Sequence, residues 1–374
     1  MDFLKNILLV CTSRSFGGLE LNTIRLAAWL REKGWNPKLV VAAGTEMENK
    51  AKESLQQVIS VRSVNTISKL FFIRRLVKKE KIALLFTPLN KDIAALSLYK
   101  RLFNRKIKLI YQQQMLVGVN KKDPVHRFRY AMIDRWICPL DYLKEEVLAR
   151  TNIPASKIEI IPLGADTARL TKNNIGKVDA RIVLDLPQKK RIVGILGRID
   201  PMKGQDTLIK AVAMMKNDPE KNFDVVLMGA VTNDHSDEFI GSLYNMVDES
   251  AIRDRVHFRP YNEKIELFYK AIDVFAMASQ NETMGMVTLE AMSSGVPVIG
   301  TNRAGTAEIL ERGKLGFLFE PGEPSDFCRA MGELIKYPEL DAMIAAARSQ
   351  VEIKYSKEVM LNKMDVLFRQ LLAK

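Results

Sequence analysis

The chain has 374 residues, 47% hydrophobic and 27% charged, which is ordinary globular composition and long for a single core, so two domains are expected. Its formal net charge of +13 is unevenly held: residues 1–170 carry 30 Lys and Arg against 15 Asp and Glu, residues 171–374 only 27 against 29. Three scattered cysteines without a CxxC pair argue against a disulfide framework or structural zinc, and no stretch reaches the roughly 18 uninterrupted apolar residues of a membrane span.

Strand and helix patterns alternate along the chain. Asn6–Cys11 reads as a buried strand and Gly18–Lys33 as an amphipathic helix closed by Gly34. Pro37–Ala43, Ile82–Thr87 and Ile107–Gln112 read as strands, and Ser68–Lys79 and Asp92–Phe103 as helices. The segment 168–190 is polar and weakly periodic, and reads as an interdomain connection. A second series follows. Strands are expected at Arg191–Leu196, Phe223–Met228, Val256–Phe258, Asp273–Ala278, Val296–Gly300 and Leu315–Phe319. Helices are expected at Asp206–Lys216, Ser236–Glu249 and Met286–Ser294, the last ended by Gly295 and Pro297, and Tyr355–Leu372 reads as one long amphipathic helix. Short apolar runs alternating with helices argue for parallel sheets covered on both faces, with ligands at the carboxyl ends of the strands.

Two loops could carry chemistry. GRIDPMKG (197–204) follows a strand and precedes a helix that buries Leu208, Ile209, Val212 and Met215. Arg198 and Lys203 thus sit on a glycine-bounded loop beside a helix N-terminus, a natural diphosphate site, although the loop lacks the GxxxxGK[ST] pattern. In NETMGMVTLEAMSSGVPVIG (281–300), Glu282 lies in a loop, Gly285 opens a helix and Glu290 falls on its second turn. Two carboxylates so placed could grip vicinal hydroxyls, and the amides of Met284, Gly285, Met286 and Val287 could meet a phosphate. Taken singly, each loop is also compatible with solvated surface charge and a helix-start Glu that complements the dipole.

Together, Arg198 and Lys203 followed by Glu282-x7-Glu290 resemble glycosyltransferase family 4, a group of retaining enzymes of the GT-B type. The resemblance covers nearly the whole chain. Gly17-Gly18, after the first strand, resembles that family's N-terminal glycine loop. IIPLGAD (160–166) resembles the entry to its second domain, and DVFAMASQNETMGMVTLEAMSSGVPVIGTNRAGTAEIL (273–310) its most characteristic stretch. The resemblance implies an α/β fold of two Rossmann-like, doubly wound domains facing a central cleft. Residues 1–170 would form the acceptor-side domain, with helix 355–374 packing back on it, and residues 171–354 the donor domain. It also implies roles. Arg198 and Lys203 would bind the donor diphosphate, Glu290 the ribose hydroxyls and Glu282 the donor sugar. Backbone at Met284–Val287 would support sugar and phosphates, Gly17 and Gly18 would let backbone approach the phosphates, and Arg259 and Tyr261 in HFRPY would contact the base. Glu308 lies in the matching GTAEI segment, with no role assigned.

The implied activity is transfer of a hexose-type sugar from a nucleotide-diphosphate donor, a UDP-sugar first, to a glycan or lipid-linked acceptor in cell-surface polysaccharide or lipopolysaccharide synthesis. No DxD motif is present, and the histidines (His126, His235, His257) are isolated, so no metal or other cofactor is expected. Two departures stand out. The strand KLIY runs into Gln112, Gln113 and Gln114 where family members often carry a His; glutamine cannot act as a base, though Gln112 and Gln114 can bind acceptor hydroxyls. Thr283-Met284 replaces the usual Gly-Phe after the first Glu.

The N-terminal apolar run, Ile7–Cys11, is too short for a secretory signal, so a cytosolic protein is expected. The basic first half would suit the inner face of an anionic membrane or an anionic acceptor, while a plain solvated surface accounts for it equally. Nucleic acid is the weaker option, since no nucleic-acid module accompanies the charge. The rival to an enzyme is a non-catalytic basic protein that binds anionic lipid or nucleic acid.

Overall fold

The computed structural model describes residues 5–171, 175–218, 222–230 and 236–373. His235 lies outside them. The chain divides into two packing units, Met1–Leu163 with Glu358–Lys374, and Gly164–Lys357.

The first unit alternates β1 (Asn6–Cys11), α1 (Gly18–Glu32), β2 (Asn36–Ala42), α2 (Glu46–Ser54), β3 (Val58–Val61), α3 (Thr66–Lys79) and β4 (Leu84–Thr87). It continues with α4 (Asn90–Leu102), β5 (Lys108–Gln112), α5 (Pro124–Ala131), β6 (Arg135–Cys138), α6 (Asp141–Arg150) and β7 (Ile158–Ile160). Its seven strands form one parallel sheet in the order β3-β2-β1-β4-β5-β6-β7. The order reverses at β1, and the segment from Thr12 to Gly18 leaves the sheet at that switch point. Because side chains alternate along a strand, Leu8 and Val10 enter one core while Ile7, Leu9 and Cys11 enter the other, and none of the five is exposed.

The second unit holds α7 (Thr167–Thr171), α8 (Lys177–Val183), β8 (Ile192–Leu196), α9 (Gln205–Met215), β9 (Asp224–Gly229), α10 (Ser236–Glu249), β10 (Val256–Pro260) and α11 (Ile265–Ala271). Then come β11 (Val274–Met277), α12 (Met286–Ser293), β12 (Val298–Thr301), α13 (Ala304–Ile309), β13 (Phe317–Phe319), α14 (Pro324–Lys336), α15 (Leu340–Gln350) and α16 (Lys357–Ala373), whose body belongs to the first unit. The six strands are again parallel, in the order β10-β9-β8-β11-β12-β13. Helix α9 buries Leu208, Ile209 and Val212 fully and Met215 in part.

The described residues of 168–190 are more than the connection that their polarity predicts. They contain α7 and α8, and the buried Arg181 anchors α8 to the second unit. Its guanidinium donates to the Ala271 carbonyl, the Gln188 carbonyl and the Asp273 carboxylate, each at 2.8 Å. A long polar side chain buried among acceptors carries no hydrophobic signature, which is why periodicity misses it. The units therefore divide at Leu163/Gly164, where 170/171 was expected. The second division falls at Lys357/Glu358 rather than at 354/355. The tail helix starts at Lys357, because Ser356 takes an extended conformation and bridges to Ala165.

Helix α16 lays Met360, Leu361, Met364, Leu367, Phe368 and Leu371 into the core that holds Ile7, Leu9 and Phe86. Trp35 meets Phe368 edge-on at 5.3 Å, and its indole N–H donates to Asp365 at 2.9 Å. Phe368→Ala opens a cavity there and is expected to destabilise the first unit by about 3–5 kcal/mol, read as a lower urea midpoint.

Candidate functional site

In the second unit, loops that leave adjacent strands touch one another at their carboxyl ends. Gly197 N–H donates to the Met228 carbonyl at 3.0 Å, and Ile199 N–H to Ala230 at 3.1 Å, so the loop after β8 lies on the end of β9. A Cβ on Gly229 would stand 1.7 Å from the Gly197 carbonyl oxygen, so only glycine admits this contact. Gly204 caps α9 with φ +76°, and a Cβ there would lie 2.3 Å from the Ala278 carbonyl oxygen. Gln280 N–H donates to the Met202 carbonyl at 3.0 Å, closing the loops after β8 and β11 together. A third loop joins them, since Gly305 N–H donates to the Glu282 carbonyl at 3.1 Å and Thr301 Oγ1 to the Ser279 carbonyl at 2.9 Å.

This framework brings Lys203 to Glu282, with Nζ 2.8 Å from Oε2 in a half-buried ion pair. Each charge holds the rotamer of the other. Arg198, on the same loop, is exposed, with its guanidinium 3.9 Å from Asp200. The buried Gln205 steadies that loop by donating to the Arg198 carbonyl at 2.7 Å. Two helix N-termini, α9 at Gly204 and α12 at Gly285 (φ +64°), open without a side-chain cap, and their first amides add positive potential. Met284 contributes backbone only, because its side chain is buried.

Glu290 is 8% exposed. The Tyr269 hydroxyl of α11 donates to its Oε2 at 3.0 Å and shares the proton with the Val287 carbonyl at 3.1 Å. Burial first, and the Glu290 carboxylate second, push that hydroxyl well above the usual tyrosine range, with a smaller push from Tyr261. It therefore stays a donor at every physiological pH. The sequence analysis gives Tyr269 no role. The available signal was a tyrosine ending the apolar run Leu267 to Tyr269, whose hydroxyl needs a partner once buried.

Arg259 lies on β10 and is held by protein acceptors. Its guanidinium donates to the Leu184 carbonyl at 2.7 Å and to the Asp185 carbonyl and carboxylate, binding the carbonyl end of α8. Tyr261, two residues on, is half exposed.

In the first unit, Gly17 caps α1 in an extended conformation, and a Cβ on Gly18 would meet nothing within 4 Å. Neither glycine is demanded by the local fold, and the start of α1 is left sterically open. At the end of β5, Asn22 Nδ2 of α1 donates to Gln114 Oε1, and Gln114 Nε2 to Gln112 Oε1, both at 3.3 Å. Gln112 is buried with its Nε2 lacking a partner among the described residues. Gln113 is structural: it accepts from Trp136 Nε1 at 3.0 Å and donates to the Met115 carbonyl. Asn22 carries no motif and was not foreseen. Among the described residues, no group of three or more His, Cys, Asp or Glu could hold a metal ion. His257 lies 3.2 Å from Asp224, and His126 pairs with Asp123. All three cysteines are buried thiols, and burial pushes Cys138 up to about 12.

Known proteins share this architecture. The model of the family Glycosyl transferases group 1 matches residues 177–350, and that of Glycosyltransferase Family 4 matches residues 16–169. The chain belongs to glycosyltransferase family 4. Among curated relatives of this family-4 chain, the D-inositol 3-phosphate glycosyltransferase of Corynebacterium jeikeium is 28% identical over 64% of the chain and 58% of its own length. That of Nocardia farcinica is 31% identical over 48% and 40%. The matched stretch thus spans well under two thirds of these relatives. Among solved structures, a glycosyltransferase from Rickettsia africae aligns with TM-score 0.87 at 19% identity over 98% of both chains. HepE of Anabaena in complex with UDP aligns with TM-score 0.84 at 20% identity over 98% of this chain and all of that one. At such identities the likeness establishes the fold, GT-B.

Removing the Tyr269 hydroxyl leaves the buried Glu290 short of a donor. Tyr269→Phe, which keeps the ring packing, is expected to lower stability by about 1–3 kcal/mol in urea denaturation.

Proposed function

We propose that the protein is a retaining glycosyltransferase that moves a hexose-type sugar from a nucleotide-diphosphate donor, a UDP-sugar first, to a glycan or lipid-linked acceptor in cell-surface polysaccharide or lipopolysaccharide synthesis. The observation that carries this reading is the Lys203–Glu282 pair beside two uncapped helix N-termini at the ends of neighbouring strands, with Arg198 on the loop of Lys203 and Glu290 on the helix that Gly285 opens. Departure of a nucleoside diphosphate puts positive charge on the sugar ring and negative charge on the leaving phosphate. Arg198, Lys203 and the first amides of α12 stabilise the latter as it develops, which lowers the barrier rather than merely tightening binding. Glu282 accepts from sugar hydroxyls while Lys203 holds it in place. Glu290, oriented by Tyr269, accepts from the ribose hydroxyls. Gln112 and Gln114 can offer an acceptor only neutral hydrogen bonds, so neither takes its proton, and the departing phosphate is left as the base. The names of the relatives support glycosyl transfer, and the capture of HepE with UDP-glucose supports a nucleotide-sugar donor.

A panel of nucleotides in a thermal-shift assay tests the donor site. UDP at about 100 times its Kd is expected to stabilise the protein by about 2.7 kcal/mol. Glu290→Ala should weaken that binding by roughly ten- to a hundred-fold, the scale of lost charged hydrogen bonds. If no nucleotide raises the melting temperature at millimolar concentration, the reading fails. Arg198 and Lys203 take the place of a metal in this mechanism, so turnover is expected to persist in EDTA. Loss on chelation with recovery on adding Mg²⁺ would overturn the metal-independent form.

A further inference from the structure

The first unit has a surface of one charge sign that the proposed transfer does not use. From Thr66 to Lys79 and from Ile93 to Lys122 the chain holds twelve Lys and Arg and no Asp or Glu. Two of the twelve are spent inside: Lys69 pairs with Asp92, and Lys100 with Asp134. The outer side of α3 is a single stripe of Ile67, Phe71, Arg75 and Lys78, at helical spacings of four, four and three. Beside it, the Arg74 guanidinium lies 4.3 Å over the ring of Phe103, the C-cap of α4, which joins the stripe to Leu102 and Arg105. Ile67 is 68% exposed, Phe71 55% and Leu102 61%. Arg75, Lys78 and Arg105 make no ion pair among the described residues, so their charge is not cancelled locally.

Exposed aliphatic and aromatic side chains interleaved with uncancelled cations match one chemistry better than others. A nucleic acid would use the cations and leave Ile67 and Leu102 in water, since aliphatic groups do not stack on bases. A bilayer of acidic phospholipid uses both, its phosphates meeting Arg and Lys while the apolar side chains enter the boundary between headgroups and acyl chains. We infer that α3 and the carboxyl end of α4 form a docking surface for an anionic phospholipid bilayer. The inference stands apart from the donor site, because none of its residues belongs to that site.

Vesicle sedimentation of the full chain tests it, using phosphatidylcholine alone and with roughly 30% phosphatidylglycerol. Binding is expected to the mixed vesicles and not to phosphatidylcholine. Arg75→Glu with Lys78→Glu should lower the partition coefficient at least about tenfold. Phe71→Ser should lower it less, with its effect growing as salt screens the charges. Lys314→Glu with Lys336→Glu makes the same change of charge on exposed residues of the second unit and should leave binding intact. All these sites are exposed, so each variant should melt with the parent, and nucleotide binding should be unchanged. Absence of binding to acidic vesicles, equal loss in the second-unit control, or displacement from vesicles by single-stranded RNA would each overturn the assignment.

Discussion

The candidate site depends on backbone touching backbone where two strands of the second unit end. Gly229 lets the end of β9 meet the Gly197 carbonyl, and Gly204 lets the start of α9 meet the Ala278 carbonyl. A methyl group at either place would push the loops apart by an ångström or more, since interiors do not yield to such overlap. With the loops in contact, Lys203 reaches Glu282, and the N-termini of α9 and α12 open beside them. The chemistry is placed by the absence of side chains as much as by their presence.

Around that framework the charged groups are individually partnered. A carboxylate as buried as Glu290 is costly unless something donates to it, and Tyr269 supplies that donor from a neighbouring helix. Glu282 and Lys203 meet the same requirement through each other. The first unit repeats the device at its own switch point, where Asp92 accepts from Thr12 N–H at 2.8 Å and lies in an ion pair with the buried Lys69. Both sheets thus have their strand ends fixed by polar contacts rather than by apolar packing alone, which suits positions that must keep a defined geometry beside solvent.

Many of the strands and helices were legible. Ile7–Cys11 and Ile192–Leu196 are apolar runs buried on both faces, and the helix from Gln205 to Met215 shows its buried stripe. The loop positions of Arg198, Lys203 and Glu282 were legible too, because glycines and a helix start bracket them. Some short elements were not, among them the strands Arg135–Cys138 and Ile158–Ile160, of four and three residues. Helix α8 looked like a linker because its anchor is an arginine. What holds Arg259 was not legible for a related reason: its partners include carbonyls at the end of α8, and a backbone acceptor leaves no mark in the sequence.

The sequence by itself determined the class of the molecule, a pair of parallel α/β units, and the residue types available at the strand ends. Local patterns carry that much, since burial on two faces and helix entry after glycine are written in neighbouring positions. Only the tertiary structure decided which of those residues meet. That Lys203 pairs with Glu282 across 79 positions, that Tyr269 holds Glu290, that Asn22 reaches Gln114, and that Arg259 bonds to the end of α8 follow from the order of strands in each sheet. Strand order is a long-range property. It is settled by how the helices cover both faces, and no stretch of sequence states it alone.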